Sequence, residues 1–405
     1  MNKIERLLHT LAPKGVGFRK LGEVCDFQKG KSITKKAVTF GKVPVISGGR
    51  QPAYYHNEAN RSGETIAISS SGVYAGYVSY WDIPVFLADS FSVSPKQKTL
   101  MPKYLFYYLT TQQDAIHATK SAGGIPHVYS KDLQNFLIPI PPLEIQQEIV
   151  KILDAFTELN AELNAELNVR KKQYQYYQNM LLDFNDINQN RKDAKEKLAQ
   201  KPYPKRLKTL LHTLAPKGVG FRKLGEVCEI LDNRRIPIAK NKRKPGIYPY
   251  YGANGIQDYI DSYIFDGDFV LVGEDGSVIN KDNTPVVNWA SGKIWVNNHA
   301  HVLQTKNELK LKFLYFYLQT IDVSYYVAGT PPKINQENLK QITIPIPPLE
   351  IQQEIVTILD QFSALTTDLQ AGIPAEIKAR KKQYEYYREK LLAFKPLTQN
   401  KEVKK

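Results

Sequence analysis

Apolar residues recur at Ile145, Ile149, Ile152, Phe156, Leu159 and Leu163, a 4-3-4-3-4 spacing that averages 3.5 residues. That period predicts a coiled-coil seam rather than a lone amphipathic helix. The seam returns at Ile351, Ile355, Ile358, Phe362, Leu365 and Leu369. Each copy begins beside a proline, Pro142 or Pro348, which suits the first turn of a helix and cannot continue one. Each helix is expected to run for ~40 residues, or ~60 Å. That is the length of a spacer, and the simplest packing is one antiparallel pair within the molecule. Inside the first helix the unit Glu-Leu-Asn-Ala starts at Glu158 and again at Glu162, and a third Glu-Leu-Asn follows from Glu166. Each such unit lengthens a helix by ~6 Å and turns its end by ~40°. The second helix has Gly372-Ile373-Pro374 in its place, which predicts a kink or interruption there.

Upstream of each seam the pattern is different. Short β-rich runs at Thr65–Ser69, Tyr77–Trp81 and Val85–Leu87 are separated by turn signals such as Ser47-Gly48-Gly49 and Ser71-Gly72. A helix is predicted over 102–113, followed by a Gly/Pro/His loop over 121–129. A second stretch repeats this grammar with other residues. Tyr250-Tyr251-Gly252-Ala253-Asn254 stands for Val45 to Gly49, and Glu274-Asp275-Gly276 for Ser70-Ser71-Gly72. A helix follows over 311–319 and a loop over 328–335. The blocks flanking these stretches barely change. Leu7–Cys25 is identical to Leu210–Cys228, Ile138–Val150 is identical to Ile344–Val356, and RKKQYxYYxxxLLxF fits both 170–184 and 380–394. One frame holding two diverged inserts predicts a single α+β fold used twice to present two different recognition surfaces. The segment LGEV before each cysteine reads as a short buried strand. The domain reading is 1–143 and 210–349 for the two globular parts, 144–184 and 350–394 for the helices, 185–209 for a polar, basic, solvated linker, and 395–405 for a tail.

Composition narrows the function. The chain has 405 residues, 42% hydrophobic and 23% charged, which is globular and long enough for more than one core. A net charge of +15 favours a polyanionic partner, and the 25 tyrosines favour binding surfaces. Cys25 and Cys228 sit at matching positions and read as small buried hydrophobes, with no zinc spacing around them. No signal-peptide pattern and no run of ~18 apolar residues is present, so a cytoplasmic setting is expected. Gly30-Lys31-Ser32 resembles the end of a P-loop, but the upstream glycine position is Cys25, so no nucleotide site is expected. Neither an Asn-Pro-Pro-aromatic signature nor a GxGxxG fingerprint occurs. His299 and His301 lie two apart in a strand-like run whose alternate residues share a face, which makes them an outside candidate for a zinc pair.

The duplicated PKGVGFRKLGEV and IPIPPLEIQQEIV blocks, the two dissimilar inserts and the in-helix tetrapeptide repeat together resemble the specificity subunit of type I restriction–modification systems. The resemblance covers nearly the whole chain. It implies two pseudo-repeated α/β target recognition domains separated by a long antiparallel two-helix coiled coil. Each domain would read one half of an asymmetric, bipartite site on double-stranded DNA. The helices would set the spacer and carry two methyltransferase subunits, with restriction subunits joining the complex. It also implies no catalytic site in this chain, the S-adenosylmethionine belonging to the methyltransferase partner.

Residue chemistry and loop placement select the DNA-contact candidates. They are Arg50, Gln51, Ser70, Ser71, Tyr74, Lys120, His127 and Lys131 in the first domain, and Asn254, Gln257, Asp275, Ser277, Asn298, His299, Lys333 and Asn335 in the second. A turn or solvent role is the alternative for each. The unchanged polar helix faces point to one partner docking twice, through Gln146, Gln147, Arg170, Lys171 and Lys172 and through Gln352, Gln353, Arg380, Lys381 and Lys382. Contact with phosphates near the helix ends is the alternative for some of these. The rival functions are a self-sufficient DNA-binding nuclease and a coiled-coil adaptor with no DNA role.

Overall fold

The repeated blocks pair with each other. In the computed structural model, which describes residues 3–96, 98–121, 124–276, 278–367 and 372–397, strand Phe18–Lys20 runs antiparallel to Leu137–Pro139. Gly220–Lys223 pairs in the same way with Thr343–Ile346. Each insert is thus closed at its base by the segments that flank it. LGEV does not form the expected strand. Leu21–Val24 and Leu224–Val227 are each one helical turn that buries its Leu and Val, and the strand begins at the following cysteine.

The chain divides into two compact units, residues 1–164 with 376–405, and residues 165–375. In the first unit a four-stranded antiparallel sheet has the order Cys25–Lys29, Ser90–Pro95, Thr65–Ser69, Val78–Trp81. A three-stranded sheet lies beside it in the order Tyr54–His56, Val43–Ile46, Phe86–Leu87, the last pair parallel. Thr65–Ser69 is buried throughout, and its side chains alternate as a strand requires. Ile66 and Ile68 join the main core with Tyr104 and Leu105 of helix Pro102–Thr111, while Ala67 faces Ile46, Val85 and Leu87.

The second unit has the same strand neighbours in one six-stranded sheet. Its order is Cys228–Ile230, Ala300–Thr305, Phe265–Gly273, Val287–Val296, Pro245–Gly252, Gly255–Ile260. The difference lies in one strand. In the first unit Pro84 stands between Trp81 and Phe86, and a residue without an N–H cannot continue a ladder. The counterpart Val287–Val296 bends at Gly292, whose φ is +76°, and stays continuous.

The first long helix is Leu143–Leu182, 40 residues without a break. Ile145, Ile149 and Leu153 point into the first core and are fully buried, so the helix begins as a core element before it becomes a seam. The second comes as two helices, Leu349–Thr367 and Ile373–Leu392. Pro374 occupies the first turn of the later one, where its missing N–H costs nothing. Of the expected seam, Leu365 is 38% exposed, and Leu369 lies outside the described residues.

Each unit joins one copy's helix start to the other copy's helix end. Phe156 stacks on Tyr387 with centroids 5.6 Å apart, and Phe362 stacks on Tyr177 at 5.0 Å. The backbone beyond each helix end then pairs with a repeated block. Val16 bonds Lys395 and Leu397, and Val219 bonds Ile187 and Gln189.

The basic linker is more structured than its composition predicts. It holds helix Ala194–Gln200 and the start of Lys205–Leu214; Leu198, Tyr203 and Leu207 are buried in the second core, and Ala194 is buried as well. Lys201 lies 2.8 Å from Asp183 and 3.2 Å from Asp186. Apolar residues at four- and five-residue intervals inside a lysine-rich run carried this packing.

Cys25 and Cys228 are free and buried, and burial pushes both thiols up to about 12. Neither should react with a chromogenic disulfide reagent at about pH 8 in the folded protein, and both should react once the chain is unfolded in guanidinium.

Candidate nucleic-acid interface

Two loops meet at the same end of the interior strands in both units, Thr65–Ser69 and Phe265–Gly273, through the same main-chain hydrogen bonds. In the first unit Ser70 N–H donates to Asp89 O, Val128 N–H to Ser70 O and Gly72 N–H to Pro126 O, at 2.9–3.1 Å. In the second, Glu274 N–H donates to His299 O, Ile334 N–H to Glu274 O and Gly276 N–H to Pro332 O, at 2.9–3.1 Å. Ser71 bridges His127 in one unit, and Asp275 bridges Lys333 in the other. These bonds equate Ser70 with Glu274, Ser71 with Asp275, Asp89 with His299 and His127 with Lys333. The side-chain contact at the centre is also kept, with its chemistry exchanged. The Ser71 hydroxyl donates to the Asp89 carboxylate, whereas the Asp275 carboxylate faces His299 Nδ1 at 2.6 Å.

In the first unit Ser70, His127 and Lys131 line a cleft of about 480 Å³ together with Lys29, Ser32 and Asp89. His127 stacks on Tyr129, centroids 5.9 Å apart, and Lys131 Nζ lies 5.4 Å from the same ring. A second patch gathers Arg50, Tyr74 and Lys120. The Arg50 guanidinium sits 4.9 Å from the Tyr74 ring centroid and 5.6 Å from that of Tyr77. His117 is held below its ordinary range by burial, then by the positive charges of Lys120 and Arg50, against Asp114. Gln51 is exposed.

In the second unit a hydrogen-bonded chain connects Gln257, His299 and Asp275 through Asn297. Asn297 donates to Gln257 at 3.4 Å, His299 N–H donates to Asn297 Oδ1 at 2.9 Å, and His299 faces Asp275. Asn298 is exposed, and its carbonyl accepts from Arg235 at 3.3 Å. Asn254 is exposed in the two-residue turn between Pro245–Gly252 and Gly255–Ile260. Asn335 caps helix Gln336–Gln341 by accepting from Asn338 N–H at 2.8 Å, so its turn role is occupied. Ser277 lies outside the described residues.

His299 and His301 do not share a face. His299 precedes strand Ala300–Thr305 and is half-exposed, while His301 is fully buried behind it. His301 Nδ1 lies 2.6 Å from Asp232, and its Nε2 lies 2.8 Å from Ile334 O. Asp232, Glu274 and His301 are close enough together to hold a cation. Yet Glu274 already takes Arg235 at 2.6 Å and Lys333 at 3.0 Å, and both nitrogens of His301 face acceptors. The donor set fits an ion-pair cluster and not a metal site.

Several contributors were not among the sequence candidates. Asp89, Asn297 and Arg235 carry no local motif, and pairing across the sheet brings them in. The loop between the first two strands of each insert carries exposed lysines, Lys31, Lys35, Lys36 and Lys42 in one unit and Lys240, Lys242 and Lys244 in the other. Two basic runs at matching places were the available signal.

Two partner candidates are corrected. Gln146 and Gln352 are 0% exposed and cannot touch another subunit. Gln146 donates to Thr99 O and Pro141 O and accepts from Met101 N–H, all within 2.7–2.9 Å. Gln352 does the same with Glu308 O, Pro347 O and Lys310 N–H within 2.7–2.9 Å. Gln147, Gln353, Lys171, Lys172, Lys381 and Lys382 are exposed. Arg170 lies between Glu166 and Gln173, and Arg380 between Glu376 and Gln383.

The fold and its internal repeat define a two-domain protein of the type I restriction modification DNA specificity domain family. The chain belongs to that family, which matches it over residues 13–169 and 216–379. It is 46% identical to a type I restriction enzyme specificity subunit of Haemophilus influenzae over 179 residues, 43% of this chain and 46% of that relative's length. It is 27% identical to the specificity subunit of an Escherichia coli type I restriction enzyme across 98% of both chains. The crystal structure of a type I system S subunit from M. genitalium superposes with a TM-score of 0.61 at 18% identity, covering 93% of this chain and 96% of that one. No described helix is long and apolar enough to cross a membrane.

Gln146→Ala or Gln352→Ala should cost about 1–3 kcal/mol, because a buried N–H and two carbonyls lose their partners. Lys171→Ala should stay within about 0.5 kcal/mol. Urea unfolding of the variants separates the two kinds of residue. A second expectation concerns acid. Burial works to raise Asp232 and Glu274, but contacts with His301 and Arg235, and with Lys333 for Glu274, hold both below their ordinary values of 3.8 and 4.5. Their contribution to stability is complete above the ordinary carboxylate range and is lost as pH falls through the depressed folded values. Asp232→Asn should therefore flatten the acid limb of a stability–pH profile measured by denaturant unfolding.

Proposed function

We propose that this chain is the DNA-reading subunit of a type I restriction–modification complex, with each unit reading one half of a bipartite site. The observation that carries this reading is the pair of matched loop junctions. One frame of main-chain bonds presents Ser70, Ser71, Asp89 and His127 in one unit and Glu274, Asp275, His299 and Lys333 in the other. Equal scaffolds with exchanged donors and acceptors suit two different base sequences, since base edges are distinguished by donor and acceptor pattern. The exposed lysines at 31–42 and 240–244 supply phosphate contacts that fix register without reading sequence.

The chemistry belongs to partners. Two methyltransferase subunits dock on the exposed helix faces around Gln147, Lys171 and Lys172 and around Gln353, Lys381 and Lys382. They bring S-adenosylmethionine, and restriction subunits complete the assembly. The 40-residue helix acts as the ruler for the gap between half-sites.

The reading is tested by reconstitution. The purified chain should give no methylation alone, and methylation at one split motif once a methyltransferase subunit and S-adenosylmethionine are added. His299→Ala with Asp275→Asn should alter one half of that motif only. Deleting residues 162–165 should shorten the helix by ~6 Å and remove a ~40° turn, close to the twist of one base pair. Long-read methylation mapping should then show the same half-sites with a gap about one base pair shorter. Methylation by the chain alone, or a gap unchanged by the deletion, would count against it.

A further inference from the structure

The internal repeat exposes a difference that the DNA-reading role does not use. In the second unit the apolar surface formed by Leu181, Phe184, Leu207 and Leu211 is sealed, each residue being at most 1% exposed. The cover is the 185–209 segment. Leu198 and Tyr203 pack into that core, the Tyr203 hydroxyl donates to Asp183 O, and Lys208 donates to Ala199 O.

The alignment of the repeated blocks gives the counterparts in the first unit. They are Leu391, Phe394, Ile4 and Leu8, with Ile152 and Phe156 alongside. Here no described segment plays the part of residues 194–203. Leu8, Leu391 and Phe394 are only partly buried, and with Ile4, Ile152 and Phe156 they line an open, mainly apolar cavity of about 420 Å³. The same surface is therefore covered once by the chain itself and left open once.

We propose that this cavity receives a short helical segment of a partner protein, with a leucine and an aromatic residue spaced like Leu198 and Tyr203. The repeat also indicates the occupant's charge. Lys201 of the built-in cover pairs with Asp183 and Asp186. Their counterparts here are Ala393 and Pro396, and Met180 is replaced by Lys390 on the cavity wall. A lysine at that place has lost its two carboxylates and meets Lys390, whose acidic neighbour on the wall is Glu5, so an acidic residue suits the occupant there better than a lysine. The chain's own residues 398–405, Thr-Gln-Asn-Lys-Glu-Val-Lys-Lys, include an acid but hold one apolar residue, no leucine and no aromatic, so they lack the apolar pair. A second copy's 194–203 segment brings the unsuitable lysine.

The test uses the full chain with a polarity-sensitive dye at position 383 in a Gln383→Cys variant, a wall position that leaves Lys390 in place, the native cysteines being buried. The probes are two synthetic peptides, one with the sequence of residues 193–204 and one with Lys201→Glu. The acidic peptide should saturate the dye response and bind at least about fivefold more tightly than its parent at low salt. Leu8→Arg should abolish the response, as should Ile152→Lys, with unfolding curves showing that the variants remain folded. No saturable response, equal binding by the Leu8→Arg and Ile152→Lys variants, or no preference for the acidic peptide would overturn the proposal. So would binding that requires removal of residues 398–405, or a dye response that follows protein concentration without peptide, since these assign the cavity to the tail or to a second copy.

Discussion

The structure depends on how each insert is closed at its base. The two-stranded pairing of Phe18–Lys20 with Leu137–Pro139, repeated at Gly220–Lys223 with Thr343–Ile346, ties the beginning of an insert to its end. Just beyond, Gln146 or Gln352 ties the start of the long helix to the loop before the insert's own helix through two hydrogen bonds each, with a third to the nearby Pro141 or Pro347 carbonyl. In a fully buried setting each of those bonds matters because the alternative is an unpaired polar group. Everything between the two flanks is free to differ as long as these joints hold. The six-stranded sheet of one unit and the divided sheet of the other show how far the difference extends.

The helices add a second constraint. Neither copy of the frame is self-contained, because Phe156 rests on Tyr387 and Phe362 on Tyr177. Each aromatic stack links residues far apart in sequence, so the order of the chain and the make-up of its units are not the same thing. This explains why the two helix ends carry the same aromatic pattern even though one follows an unbroken helix and the other follows Pro374.

Much of this was legible in the residues. Identical flanks gave away the duplication, period 3.5 gave the long helix, and the turn signals around Ser71-Gly72 and Asp275-Gly276 marked the junctions that matter. What escaped detection was set by contacts distant in sequence. Nothing local distinguishes Gln146 from its exposed neighbour Gln147; only the insert's own loop, some 45 residues away, buries it. His301 and His299 look like a pair along the chain, yet His301 lies within an interior strand in an ion-pair cluster, while His299 precedes that strand and faces Asp275. The linker misled through its lysines, which outnumber its small buried apolar set of Ala194, Leu198 and Tyr203.

The loop junctions are held by amide hydrogens and carbonyls, which every residue except proline possesses. Most side chains at those positions are accordingly free to change, Glu274 with its ion pairs to Arg235 and Lys333 being the exception. A lineage that needs a new target sequence can rewrite them without eroding the framework, and the drift between the chain's own two halves is a record of that freedom.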